Sequence, residues 1–381
     1  MLHRCYVLLF AALCCPAVAV AQVPARPTIM LTGYWPPSNE AVRHFSSNPA
    51  QNPAGWMGSN WEGRGYDVYS YFPEFSPPNC TSCGAGTGDL MVDYQDTSAD
   101  FWALANALEP IAIITFSRTN ASLSWEVEMN QHNHSTWTGD YIAPTQPTRS
   151  PPDASVPANF VRLSKLPVQD IVNAVLAAGL GLNAFICFAG HAGGFVSEFV
   201  AYHGVWYQAL HDSPTDPAWC IAAGHIHVGS GVSWPVARTA AEVTLRTVIA
   251  HVDSVRAATV CQTDLGFQGP GTATLVACGQ PLHVNGNIAD MRLLGGIPNS
   301  IAVLAFSDQS NPTPLFGGLV VPVPFLHLEA VLLDAQGQWF WDDGLVGTTA
   351  GLATIVVQAA YLDPMLVDGW GLTNALSLSF Q

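Results

Sequence analysis

The sequence predicts an α/β protein followed by a smaller all-β sandwich, and three observations carry that reading. From about Pro27 to Arg256, short apolar runs alternate with amphipathic, helix-spaced segments. Continuous apolar strands between helices imply a sheet covered on both faces. From about Cys261 the helical spacing stops, and short strand-like runs separated by Gly, Pro, Asn and Asp take over. The chain is also long enough for two cores, with 381 residues of which 49% are hydrophobic. The expected division is a signal peptide at 1–21, an α/β domain at 22–258 and a β-sandwich domain at 259–381.

In chain order, Thr28–Thr32 reads as a strand opening into the turn Gly33-Tyr34-Trp35-Pro36-Pro37, and Tyr66–Tyr71 reads as a second strand. Phe101–Leu108 has helical spacing and stops at Pro110. Ile111–Phe116 is a continuous apolar strand, and Ser124–Met129 alternates. Asp140–Ser164 is rich in Pro, Thr and Ser and is expected to be a surface loop. Val168–Ala178 is a helix ending at Gly179, and Asn183–Ala189 a buried strand. Phe195, Phe199, Val200, His203, Tyr207 and Leu210 mark a helix, Trp219–Val228 a strand, and Val236 to Val252 a further helix. The later strand candidates are Leu275–Ala277, Ile301–Phe306, Leu319–Val323, Leu326–Leu333, Ala353–Tyr361 and Leu376–Phe380.

The N-terminus has the three parts of a secretory signal. Arg4 supplies a charge, Tyr6–Leu13 an apolar run, and Ala19-Val20-Ala21 small residues for cleavage, so the mature chain should begin near Gln22. A secreted or periplasmic protein is expected, with no membrane insertion after cleavage. Only 10% of residues are charged, the net charge is −16, and Lys165 is the single lysine. Such a chain cannot neutralise a phosphate backbone, which excludes nucleic acid as an expected partner.

Six of the nine cysteines lie beyond the signal, an even count that favours disulfides in an exported protein. Cys80 and Cys83 are close enough for a local bridge, and Cys261 and Cys278 bracket a Gly-rich region as a second pair. Cys187 and Cys220 sit in apolar runs as buried thiols or a third pair. A zinc site at Cys80 and Cys83 would need a second ligand pair, and no other CxxC exists.

Sites in open α/β sheets lie where strands end and helices begin. Four places qualify. In Gly190-His191-Ala192-Gly193-Gly194-Phe195-Val196-Ser197 a strand enters a glycine loop and then a helix, with Ser197 in the first turn, where the helix field favours an oxyanion. In Gly224-His225-Ile226-His227-Val228 the two histidines share one strand face, suiting a general base or a metal. Glu126 and Glu128 also share a face, and one of them could orient a histidine. The Gly33 turn offers Tyr34 and Trp35 as a rigid aromatic rim. The plainer readings are a capping serine, structural histidines and solvated carboxylates.

Together these segments resemble the pyroglutamyl peptidase I (pyrrolidone-carboxylate peptidase) family over about residues 27–256. Its opening Thr-Gly-Phe-x-Pro-Phe turn reads here Thr32-Gly33-Tyr34-Trp35-Pro36-Pro37, with Asn48-Pro49 and Asn52-Pro53 following. Its nucleophile segment aligns with His191–Glu198 and puts Ser197 at the cysteine position. Its Gly-Phe-Ile-His-Val segment puts His227 on the histidine, and its glutamate falls on Glu126, with Glu128 as the fallback. Three departures stand out: Ser197 for Cys, Pro37 for Phe, and Glu198 for Asn. The resemblance implies an α/β/α sandwich, no cofactor and no metal. The C-terminal part resembles a module of exported bacterial proteins, through its start at Cys261–Phe267 and its end at Leu372–Leu376.

The implied activity is hydrolysis of a small peptide, amide or ester, N-terminal pyroglutamyl-type substrates among them, by a Ser197–His227–Glu126 triad. Amides of the loop at Gly193 and Gly194 would bind the oxyanion, and Tyr34 and Trp35 would line the substrate. The alternatives are an inactive binding protein of the same fold, and a metal site built on His225 and His227 with His132 or His134.

Overall fold

The computed structural model describes residues 26–80, 83–189, 194–348 and 354–380. The expected signal peptide at 1–21 lies outside them, as do residues 190–193.

The first part contains β1 (Thr28–Tyr34), α1 (Ser38–Val42), β2 (Asp67–Tyr71), α2 (Tyr94–Leu108), β3 (Ala112–Thr119), β4 (Ser124–Glu128), β5 (Asn130–His132) and β6 (Val161–Leu163). It continues through α3 (Val168–Ala177), β7 (Asn183–Cys187), α4 (Val196–Leu210), β8 (Ala222–Gly229) and α5 (Trp234–Ala258). Six strands form one sheet in the order β2-β1-β3-β8-β4-β7. All neighbours are parallel except β4 against β8.

Helices cover both faces, so this part has three α/β/α layers. Under α1, α3 and α5 lies an apolar core that takes Ile29 and Leu31 from β1, Ile114 and Phe116 from β3, Trp125 and Val127 from β4, and Ile226 and Val228 from β8. Under α2 and α4 lies a second core with Met30, Ile113 and Ala223 from the strands, and Phe101, Phe199, Val200 and Tyr202 from the helices. Residues of alternate parity along each strand supply the two cores.

Local chemistry sets the helix ends. The Asp93 carboxylate accepts the Asp96 N–H at 2.7 Å and starts α2 seven residues before the expected Phe101. Glu109 ends it in the left-handed region, just before Pro110. A buried stripe of Ala237, Ala241, Leu245, Val248, Ile249 and Val252 holds α5 to the sheet. Each large member of that stripe contributes roughly 1.5–3 kcal/mol by burial. Gly33 lies one residue before the end of β1, where α1 comes close: a Cβ there would stand 2.8 Å from Asn39 Cα.

The expected loop at Asp140–Ser164 contains β6, which pairs antiparallel with β5. A three-residue strand is too short to leave a periodic signal, so composition alone reads as a loop.

The second part consists of β9 (Val260–Cys261), β10 (Thr263–Gly266), β11 (Thr274–Gly279), β12 (Ile288–Leu294), β13 (Ile301–Ser307), β14 (Thr313–Leu315), β15 (Gly318–Val320), β16 (His327–Leu332), β17 (Trp339–Val346), β18 (Thr354–Leu362) and β19 (Trp370–Ser379). A five-stranded sheet, β10-β19-β18-β13-β16, and a four-stranded sheet, β17-β12-β11-β9, are antiparallel throughout. They share one core that includes Leu275, Met291, Leu293, Leu304, Val357 and Leu376. A disulfide joins Cys261 on β9 to Cys278, its register partner on β11. A second joins Cys80 to Cys83, and Cys187 and Cys220 do not form a third pair. No helix among the described residues is long and apolar enough to cross a membrane.

Candidate active site

On the face under α2 and α4, three adjacent strands carry polar groups at the positions that alternate with the apolar core beneath α1, α3 and α5. Thr115 and Ser117 come from β3, His225 and His227 from β8, and Glu126 and Glu128 from β4. The expected continuous apolar strands are therefore apolar throughout on one face, and interrupted by polar residues on the other. The polar members face one another across the ladder, where each can satisfy its neighbour.

His225 is fully buried, and both ring nitrogens are held. The Thr115 hydroxyl donates to Gly224 O at 3.2 Å and lies 2.7 Å from His225 Nδ1. With its proton committed to the carbonyl, Thr115 accepts from Nδ1–H. Nε2 then accepts from the Ser117 hydroxyl at 2.8 Å. Burial, reinforced by the neighbouring His227, pushes His225 well below the usual imidazole range. A neutral ring with both nitrogens engaged has no lone pair for a metal, so the pairing of His225 with His227 as ligands is not found.

His227 stands next to it, with ring centroids 4.5 Å apart. Its Nδ1 lies 2.8 Å from Glu128 Oε1, and both side chains are buried. An ionised carboxylate only accepts, so Nδ1 carries the proton and Nε2 the lone pair. That is the tautomer a general base needs. Among the described residues, Glu128 Oε2 has no hydrogen-bond partner although it is buried.

Glu126 was expected to bond His227, with Glu128 as the fallback, and the hydrogen bond comes from Glu128. Backbone register does place Glu126 opposite His227 and Glu128 opposite His225. Glu128 nevertheless reaches the diagonal histidine, as long side chains can in an antiparallel pair. The Ser124 hydroxyl, two residues earlier on the same face, donates to Glu126 Oε1 at 2.8 Å, and a Glu126 oxygen stands within 4.8 Å of the His227–Glu128 pair without bonding it.

Ser197 is half-buried in the first turn of α4, a helix that packs on β3 and β8. The adjacent Glu198 is buried, with Oε1 2.8 Å from His134 Nε2. Its Oε2 accepts the Gly194 N–H at 3.1 Å. The Gly194 amide, expected to serve an oxyanion, is thus taken by a carboxylate. Gly193 lies outside the described residues.

The aromatic rim is half as expected. Tyr34 is a core residue, 3% exposed, with its hydroxyl bonded to Thr97. It follows the inward parity of β1 rather than the turn. Trp35 has φ +57° and turns outward; its indole donates to Gly84 O at 3.2 Å. Its ring lies 6.1 Å from Phe195, the residue before α4, and 6.2 Å from Tyr141. Trp35, Tyr141 and Phe195 form an aromatic wall at the start of the helix that carries Ser197. Sequence reading missed Tyr141, which sits in the Pro-rich segment with no pattern to mark it. It also missed Thr115 and Ser117, although the spacing Ile113-x-Thr115-x-Ser117 is a period-2 signal.

Comparison against protein-family models finds no match, and none is found among curated proteins. Solved structures do match. The pyrrolidone carboxyl peptidase of Thermococcus litoralis is 14% identical, covering 60% of this chain and 96% of its own, with a TM-score of 0.44. That of Pyrococcus furiosus is 13% identical, covering 59% and 99%, with a TM-score of 0.43. Pyroglutamyl peptidase I of Bacillus amyloliquefaciens is 17% identical, covering 60% and 97%, with a TM-score of 0.41.

Proposed function

We propose that this chain is an exported hydrolase that cleaves a small amide, peptide or ester through Ser197, His227 and Glu128. One observation carries the reading: the buried His227–Glu128 pair at 2.8 Å fixes the imidazole tautomer that leaves Nε2 as base. His227 takes the Ser197 proton as the hydroxyl attacks a carbonyl, and returns it to the leaving group. Glu128 holds the ring and stabilises the imidazolium. The aromatic wall of Trp35, Tyr141 and Phe195 favours an acyl group with an apolar flank. Export to the periplasm or medium fits the two disulfides, which persist in oxidising compartments. There a catalytic thiolate is open to oxidation, which gives a serine at position 197 a chemical advantage.

The test is labelling with a fluorophosphonate probe, alongside turnover of a panel of N-acyl aryl amides, pyroglutamyl among them, and aryl esters. The exported fraction, where the chain is expected to begin near Gln22, supplies the protein. Labelling on Ser197 that disappears in Ser197→Ala, with turnover lowered at least about 10³-fold, supports the triad. No labelling of folded protein favours the second reading, a binding protein of the same fold. That reading draws on the Gly194 amide being bonded to Glu198 and on the negative charge beside Ser197.

A further inference from the structure

We propose that His132, His134 and Glu198 bind a divalent transition-metal ion of the zinc type, beside Ser197 and separate from the His227–Glu128 pair. One ligand atom from each residue lies within 4.8 Å of the other two.

Three features build the site. First, His132 ends β5 and His134 follows two residues later, so an extended backbone turns both rings to one side. Their centroids are 5.3 Å apart. Asn133 between them is fully buried on the other side, where its amide bonds Asp153 O at 2.8 Å and accepts from Asp153 N at 3.2 Å. That anchor fixes the spacing of the two imidazoles.

Second, Trp137 secures His134. Its indole donates to His134 O at 3.1 Å, and its ring meets the imidazole edge-on at 5.2 Å. Third, Glu198 brings a 2%-exposed carboxylate from the first turn of α4, with Oε2 held by the Gly194 amide and Oε1 turned to His134. Groups behind the ligands that orient them in this way are a regular part of metal sites.

The donor set decides the ion. Two imidazoles and one carboxylate suit zinc and its neighbours, and poorly suit calcium or magnesium, which take oxygen. Ligand atoms around tetrahedral zinc stand about 3.3 Å apart. The His134–Glu198 contact of 2.8 Å opens slightly on binding, and His132 closes by side-chain rotation. Three protein ligands leave one position open, as in catalytic rather than structural zinc sites. The bound cation also cancels the Glu198 charge next to Ser197.

The experiment titrates zinc into chelator-stripped, full-length mature protein by calorimetry, and follows cobalt(II) uptake by its visible absorption. The expected result is one ion per chain, with affinity reduced at least about 100-fold by His132→Ala and by Glu198→Gln. Asp342→Asn, at an exposed carboxylate elsewhere, leaves it unchanged. Circular dichroism checks each variant; should Glu198→Gln fail to fold, His132→Ala, at a half-exposed strand end, carries the test. No saturable uptake, or uptake unaffected by His132→Ala, overturns the site. Metal binding and fluorophosphonate labelling are read separately, so either reading can fail while the other stands.

Discussion

The two faces of the six-stranded sheet are made by the same strands and differ at every second residue. Beneath α1, α3 and α5, the strand side chains are apolar and the helices close over them. Beneath α2 and α4, the same strands present Thr115, Ser117, His225, His227 and Glu128, each buried. Burying those groups costs free energy that only mutual hydrogen bonds offset. The difference teaches that period-2 alternation lets one parity stay apolar throughout, while the other combines an apolar core at Met30, Ile113 and Ala223 with a buried polar cluster.

The largest expected effect breaks the chemical face alone. Glu128→Gln removes the charge that fixes His227 and should lower kcat by about 10³–10⁴-fold, with KM for the best panel substrate little changed. A rise in KM alone, with kcat intact, would remove Glu128 from the positioning role. The mirror change is Leu245→Ala, which opens a cavity on the apolar face and should cost about 2–5 kcal/mol in denaturant unfolding. Folded Leu245→Ala protein should keep its turnover below the melting range; selective loss of activity would blur the division of labour.

The smallest effect is set by pH. His203 on α4 is fully buried, with Nδ1 donating to Phe199 O at 2.8 Å and Nε2 accepting from Ser98 Oγ at 3.1 Å. Burial lowers its pKa from 6.5 to about 4. The unfolded chain therefore binds the proton first as pH falls. The stability owed to neutral His203 is complete above pH 6.5 and declines down to about pH 4, by up to about 3 kcal/mol. Chemical denaturation at stepped pH, with the imidazole followed by NMR, checks both the window and the sign. A His203 resonance titrating near 6.5 in the folded protein would contradict it.

The alternation of helices and strands was legible because long apolar stripes leave a period. The helices at Val168–Ala177 and Val196–Leu210 lie close to where spacing alone put them. The site was less legible, because it depends on diagonal reach. Register alone favours Glu126 for His227, and only the side-chain path shows Ser124 holding Glu126 and Glu128 crossing to the histidine. Tyr34 was misread because the turn motif hid the parity of the strand that ends in it. In the sequence, His132 or His134 reads only as a third ligand beside His225 and His227. Nothing in the sequence brings them to Glu198, some 64 positions on from His134, until α4 folds back over β5.

The seam between the two parts of the chain has a mechanical consequence. Asp216, in the segment that leads into β8, lies 3.1 Å from Arg292 on β12 and 3.2 Å from His211. Ser213 in the same segment donates to Asp290 on β12 at 2.6 Å. The antiparallel part is thus bolted to the lead-in of the strand that bears His227. A pull on that part reaches the lead-in of β8 through these side-chain contacts as well as along the chain through α5. These contacts brace the entry to β8 from outside the six-stranded sheet.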